Sequence, residues 1–229
     1  MKIFAVSNNK EGIKEIKDSV KGTTIKYSRF NPNIIFCLGG DGTFLYAERK
    51  YPEIPKILIW SDKRHSKRGR YNLKSLKKII SKIENHEFRF IREKKLKLLF
   101  NGKNSFAVND ISIRNKIPNC GIRFSAKIGK RKYDNLIGDG VTVSSPYGST
   151  GYFHSITKKS FSKGIGITMN NVTKKIASKI IERGTVNFEL IRGTALLCVD
   201  NNPKIITLRP GDKIKITNSA KIAKIVELV

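Results

Sequence analysis

Near residue 93 the hydrophobic pattern changes its period, and this change restricts the possible folds more than any other feature of the chain. Before it, short apolar runs alternate with amphipathic stretches. Lys2–Val6, Ile34–Leu38 and Ile57–Trp60 read as strands, and Glu11–Val20 and Phe44–Lys50 as helices. Leu73, Leu76, Ile80 and Ile83 share one helical face, with Lys74, Lys77, Lys78 and Lys82 on the solvated remainder. Such alternation predicts an open parallel sheet whose ligands lie beyond the carboxyl ends of its strands. From Lys94 onward, apolar residues recur at every second position instead, as in Ile111 and Ile113, then Ile122, Phe124, Ala126 and Ile128. Asn101-Gly102, Gly138-Asp139-Gly140 and Pro210-Gly211-Asp212 supply turns. Val186–Ile191, Ala195–Val199, Lys213–Thr217 and Ile222–Val229 add strands, and one helix is predicted around Lys174–Glu182. The expected fold class is α+β in two domains. Residues 1–92 form a Rossmann-like α/β open sheet, and 93–229 form a β-rich domain, an antiparallel β-sandwich.

With 39% hydrophobic and 9% aromatic residues, the chain has material for a real core. No run approaches the roughly 20 apolar residues of a membrane span. Met1–Val6 reads as a first strand, too short for the apolar region of a secretory leader. Cys37, Cys120 and Cys198 are widely separated and lack metal-ligand spacing, so buried free thiols in a reducing cytoplasm are expected. The formal charge of +28 implies affinity for polyanions such as nucleic acid, polyphosphate, nucleotides or anionic lipid. Its lysines are spread along the whole chain, without a zinc-finger or aromatic–basic RNA-binding pattern. That distribution reads as a basic surface with no dedicated nucleic-acid partner and no membrane partner.

Three segments carry chemistry. Leu38-Gly39-Gly40-Asp41-Gly42-Thr43 follows the apolar run Ile34–Cys37 and precedes a helix, a junction where backbone amides can approach phosphate. Asp41 repels phosphate, so its presence there points to a proton acceptor or a magnesium contact. Asn109 and Asp110 lie side by side at a strand start, where the amide suits a base or ribose edge and the carboxylate can accept from ribose hydroxyls. Gly138-Asp139-Gly140 opens a strand that runs into Ser144-Ser145-Pro146-Tyr147-Gly148-Ser149-Thr150-Gly151-Tyr152, rich in groups that can surround a polar ligand. Singly, the first reads as well as a plain tight turn, and the other two are more often an Asx turn and a solvated loop. His65, His86 and His154 have no triad or metal partners, and no side chain is assigned to a metal.

Taken in this order, the three segments resemble the NAD kinase family, over roughly residues 34 to 217. The glycine loop alone would also suit diacylglycerol and sphingosine kinases; the Gly148-Ser149-Thr150-x-Tyr152 segment is the most specific part. The resemblance implies an α/β domain beside a β-rich one and transfer of phosphate from ATP or polyphosphate to the adenosine ribose 2′-hydroxyl of NAD. It implies that Asp41 is the general base and that Gly40, Gly42 and Thr43 complete the phosphate loop. Asn109 and Asp110 would hold the adenosine part, and Asp139 would lie near the nicotinamide end. Thr150, Gly151, Tyr152 and Ser155 would line adenine and ribose. Magnesium or another divalent cation, a homodimer or homotetramer and a cytoplasmic location follow from the same resemblance.

Departures from the family pattern are those of a short, divergent member of an archaeal type. Ile59–Arg70 replaces the family's Gly-Ile-Asn segment, which makes Arg64, Lys67, Arg68 and Arg70 candidate donor contacts. Asp110 stands for glutamate, Gly151 for alanine, Tyr147 for threonine and Asp200-Asn201-Asn202 for Asp-Gly. A lipid kinase of the diacylglycerol type leaves Asn109-Asp110 unexplained. A non-catalytic nucleotide- or nucleic-acid-binding protein leaves Asp41 without a role.

Overall fold

The computed structural model describes residues 1–60 and 69–229. The chain divides into two compact units, Met1–Glu93 with Ala223–Val229, and Lys94–Ile222.

In the first unit, strands β1 (Lys2–Val6), β2 (Lys26–Tyr27), β3 (Ile34–Leu38), β4 (Lys56–Trp60) and β5 (Tyr71–Asn72) form a parallel sheet in the order β2-β1-β3-β4-β5. The closing residues join it, with Ile225 paired to Lys56. Every residue of β3 is buried, the pattern of a central strand covered on both faces. Helices α1 (Lys10–Ser19) and α3 (Leu76–Glu84) enclose a core containing Ile3, Phe36, Leu38, Ile57 and Ile59, with Ile16, Ile79, Ile80 and Ile83 from the helices. Of the lysines named from the sequence, Lys77 and Lys78 are exposed on α3, Lys82 is partly buried there, and Lys74 is exposed in the turn before it. Asn9 caps α1, its Oδ1 accepting from the Gly12 N–H at 3.0 Å. Helix α2 (Asp41–Lys50) packs on β3 and β4 and buries Phe44, Leu45 and Ala47. It carries a buried ion pair: the Lys56 ammonium, fully enclosed, bonds both the Glu48 carboxylate and the Tyr51 carbonyl at the helix end.

Strand β6 (Phe88–Phe100) leads into the second unit, where the remaining elements are β7 (Lys103–Ala107), β8 (Asp110–Asn115), β9 (Ile122–Ile128), β10 (Arg131–Gly138), β11 (Gly140–Ser144), α4 (Tyr152–Thr157), β12 (Ile165–Asn170), β13 (Lys179–Ile181), β14 (Thr185–Arg192), β15 (Ala195–Val199), β16 (Ile206–Leu208) and β17 (Lys213–Leu228). One antiparallel sheet has the order β13-β12-β11-β8-β15-β16; strands β10, β9, β14 and the first part of β17 form another. Their apolar faces share a core of Ile111, Ile113, Val141, Val143, Ile165 and Leu197 against Phe124, Ala126, Phe188 and Ile214. The Phe124 and Phe188 rings stack at 5.0 Å.

Several sequence expectations need correction. The helix around Lys174–Glu182 is absent: the segment is irregular and ends in β13, where Ile181 pairs with Ile165. Ile176, Ile180 and Ile181 are β-branched, and β12 offers them a strand edge. Helix α2 starts at Asp41, not Phe44. The two strands expected at Lys213–Thr217 and Ile222–Val229 are one continuous strand. Strand β8 is not half-buried: Asp110, Ile111, Ser112 and Ile113 are all enclosed because β11 and β15 flank it and both faces are covered. Of the cysteines only Cys37 is buried; Cys120 is exposed and Cys198 intermediate. Burial pushes the Cys37 thiol far above its usual range. Among the described residues no helix is long and apolar enough to cross a membrane.

Candidate functional site

The first unit places its chemistry at the carboxyl ends of its strands. The Gly39 N–H donates to Ile59 O at 2.9 Å and the Ser7 hydroxyl to Leu38 O at 2.7 Å, so the glycine loop is tied to both neighbouring strands. Gly39 has φ +153°, and a side chain there would collide with Thr43. Gly40 is the N-cap of α2, which puts Asp41, Gly42 and Thr43 in the first helical turn. That end of a helix attracts negative charge, whether a ligand phosphate or the Asp41 carboxylate itself. The position therefore explains how a carboxylate is accommodated in a phosphate-type loop. Asp41 is half-buried and Gly42 exposed. A cavity of about 360 Å³ opens in the same unit, lined by Asn9, Trp60, Asn72, Leu73 and Lys74. Asn9 follows β1, while Trp60 and Asn72 end β4 and β5, so the cavity too lies at the carboxyl edge.

Of the basic residues proposed for the donor, Arg64, Lys67 and Arg68 fall outside the described residues. Arg70 is engaged with Glu227 on β17, which also accepts from Arg89 Nε at 2.6 Å.

In the second unit a compact polar cluster surrounds the start of β8. The Asp200 carboxylate accepts from three consecutive backbone N–H groups: Val108 at 2.8 Å, Asn109 at 2.7 Å and Asp110 at 3.1 Å. The Asp200 N–H donates back to Asp110 O at 2.9 Å. Opposite, the Ser145 hydroxyl donates to Val108 O and accepts from the Gly148 N–H at 3.0 Å, while the Ser145 N–H donates to Asn109 O at 2.8 Å. The Asn109-Asp110 turn is thus clamped from both sides. Gly148 lies against it so closely that a Cβ would stand 2.6 Å from Asn109 Cα and nearer still to its carbonyl. Gly148→Ala is therefore expected to destabilise the fold by about 1–3 kcal/mol, read as a lower melting temperature. Gly151→Ala, whose Cβ would meet Gly148 O at 3.2 Å, is expected to be far milder.

A Cβ at Gly151 would also stand 3.9 Å from Asp110 Oδ2, which places the Thr150–Gly151 turn beside that carboxylate. Tyr152 and Ser155 sit on α4, both exposed, with the Ser155 hydroxyl donating to Tyr152 O at 2.8 Å. Buried Phe153 anchors this helix against the Phe161 ring at 5.0 Å. His154 is exposed.

Asp110 is 6% exposed. Burial, with the Asp200 charge as a second cause, pushes its carboxyl up to about 7. Asp200 is also raised by burial, against the lowering effect of its three N–H donors.

The structure thus gathers Asn109, Asp110, Thr150, Gly151 and Tyr152, with Ser155 one helical turn on. It does not bring Asp139 to them. Asp139 precedes β11 and accepts from Asn171 Nδ2 at 2.6 Å, whereas Ser144 at the other end of β11 pairs with Asp110. At about 3.3 Å per residue, β11 separates the two ends by roughly 15–20 Å. The sequence signals missed Asp200 as an organiser of the site. In the sequence it stands out only as the start of Asp200-Asn201-Asn202, a departure from the resembled pattern, with no role attached. Among the described residues no three His, Cys, Asp or Glu side chains are grouped to hold a metal ion.

The two-unit fold is shared by solved NAD and NADH kinases. Yeast NADH kinase complexed with NADH superposes with a TM-score of 0.88 at 15% identity, covering 100% of this chain and 84% of that one. An NAD kinase from Archaeoglobus fulgidus in complex with ATP gives 0.82 at 17% identity, covering 100% and 94%. In sequence, the chain is 30% identical over 141 residues to NAD kinase 2 of Oceanobacillus iheyensis, covering 60% of this chain and 53% of that protein. It is 27% identical over 163 residues to the NAD kinase of Thermococcus gammatolerans, covering 65% and 54%. The chain is thus similar in sequence to NAD kinases and shares the fold of the solved NAD and NADH kinases. It spans about half the length of these two curated relatives, and no family model matches it.

Proposed function

We propose that the chain is an NAD kinase that phosphorylates the adenosine 2′-hydroxyl of NAD, with ATP or polyphosphate as donor. The observation that carries this reading is the buried Asp110 carboxylate, its turn clamped by Asp200 and Ser145 and adjoined by Gly151. A clamped Asn-Asp pair suits the adenosine of NAD, with Asp110 accepting from ribose hydroxyls and Asn109 reading a base or ribose edge. Thr150, Gly151, Tyr152 and Ser155 line the same nucleoside. Asp139 belongs with the nicotinamide end, in keeping with its distance from Asp110.

Asp41 takes the proton of the 2′-hydroxyl as that oxygen bonds to the γ-phosphorus. The bond from the γ-phosphorus to its bridging oxygen breaks, and ADP leaves. Gly40, Gly42 and Thr43 hold donor phosphate at the positive end of α2. Arg64, Lys67 and Arg68 add positive charge to the donor. The described residues assemble no metal-holding set, so magnesium enters this reading as a companion of the donor phosphates, with no step assigned to it. A homo-oligomer and a cytoplasmic location belong to the same proposal, on the strength of the family alone. Neither a lipid kinase nor a non-catalytic binding protein draws support from the relatives.

Incubation with NAD, magnesium and either ATP or polyphosphate tests the reading. NADP should form with at least one donor; its absence with both would overturn it. The carboxyl at about 7 adds a second expectation. Ribose hydroxyls donate to the ionised form, so NAD affinity should rise with pH up to about 7, at most tenfold per unit, and then level. Asp110→Asn should bind NAD with little pH dependence. Stability runs the other way. The native state keeps a proton that the unfolded chain releases above its ordinary value of 3.8, so stability falls as pH rises from there to about 7. Calorimetric titrations and melts across that range check both.

A further inference from the structure

The second unit carries a row of lysines for which the proposed reaction has no use. Across the sheet, Lys132 pairs with Lys127, Lys127 with Asn187, and Asn187 with Lys215. Their neighbours Ala126, Ile128, Val186, Phe188, Ile214 and Ile216 belong to the sandwich core, so by alternation the row points outward. Three strand spacings of about 4.8 Å spread the row over about 14 Å. Ser125, Glu189 and Lys213 form the adjacent row. Together they line a concavity of about 290 Å³, with Leu99 and Asn101 at its edge.

The charges here are not balanced. Asp134 takes Lys132 at 3.0 Å and Glu189 takes Lys213 at 3.6 Å. Among the described residues, Lys127 and Lys215 have no carboxylate partner. Like charges directly opposite each other on antiparallel strands repel, and Asp134 offsets Lys132 alone, so Lys127 and Lys215 carry the uncompensated positive charge of this face. Asn187, between Lys127 and Lys215, adds two amide donors. No exposed aromatic ring lines the concavity, so it offers no platform for stacked bases. Its volume suits a small ligand.

We propose that this row is a binding site for a short oligophosphate chain, held between the Lys127 and Lys215 ammonium groups with the Asn187 amide between them. The chain could be inorganic or the triphosphate of a nucleotide, since the row recognises the phosphates alone. The site lies wholly within the second unit and does not depend on the kinase reading.

Isothermal titration of the whole protein with inorganic tripolyphosphate and, separately, with ATP tests it, comparing wild type with the double variant Lys127→Ala/Lys215→Ala. Wild type should bind tripolyphosphate with one more site than the variant, and that site should weaken steeply with salt. Tripolyphosphate should raise the melting temperature of wild type more than that of the variant, while the variant alone melts no lower than wild type. Turnover and the KM for ATP should be the same in both proteins. If ATP fills the extra site as well, the shared triphosphate is the ligand; if only tripolyphosphate does, the source is inorganic. Equal stoichiometry and affinity in wild type and variant would overturn the proposal. So would a single-stranded oligonucleotide that binds the row and is not displaced by tripolyphosphate.

Discussion

Asp41→Asn is expected to lower kcat by roughly 10²–10⁴-fold while leaving NAD affinity close to wild type. A ribose hydroxyl attacks poorly until its proton has somewhere to go, and an amide in place of the carboxylate cannot take it. The helix itself should be little disturbed. Asparagine is neutral and close in shape at the first turn of α2, where the positive helix end gives Asp41 a modest benefit. The contrast between turnover and binding separates a base from a structural acid. Loss of NAD binding together with turnover would mean that Asp41 holds the loop, and near-normal turnover would remove it from the chemistry. Single-turnover assays with NADP as the readout, beside direct NAD titration, distinguish these outcomes.

Glu48→Gln is expected to destabilise the first unit by about 3–5 kcal/mol. Lys56 is fully enclosed and Glu48 is 3% exposed, so the substitution leaves a buried ammonium without its countercharge. The Tyr51 carbonyl, which also accepts from Lys56, carries only a partial charge and offsets part of that loss. For a chain of this size the melting temperature should fall by about 6–20 °C. Replacing both partners with apolar residues of similar volume, as in Glu48→Leu/Lys56→Met, should recover much of the loss, because no buried charge is then left unmatched. Thermal melts of the single and double variants give the comparison. The pair also matters for the site, since Lys56 grips the far end of the helix that begins at Asp41.

The parts of the fold legible in the sequence were those that local pattern determines. Ile34–Leu38 could be read as a buried strand because five apolar residues in a row leave little else. The face of α3 followed from the spacing of Leu76, Ile80 and Ile83. The segment 174–182 was misread because its lysines and glutamate mimic a solvated helix, while its fate depends on the free edge of β12. In the same way, β8 alternates in sequence yet is enclosed on both faces, a property of its neighbours β11 and β15. At the candidate site, Asn109, Asp110 and Gly148–Tyr152 stand out as motifs because their residue types are themselves distinctive. Asp200 did not, because it acts through backbone N–H groups of residues distant in sequence, and spacing carries no record of such a contact.

The seating of Ile225 beside Lys56 has a consequence for the nascent chain. Strands β1 to β5 leave the ribosome long before the residues that complete their sheet, so β4 must wait while the entire second unit is translated. During that interval the Ile57 and Ile59 side of the core lacks Val226, and Tyr71 lacks the Leu228 N–H that its hydroxyl accepts at 2.8 Å. Contacts so far apart in sequence are slow to close. Maturation of the glycine-loop unit is thereby made conditional on synthesis of its partner, and a ribosome that stalls within the second unit would release a first unit with an unfinished sheet edge, a ready substrate for chaperones or proteases.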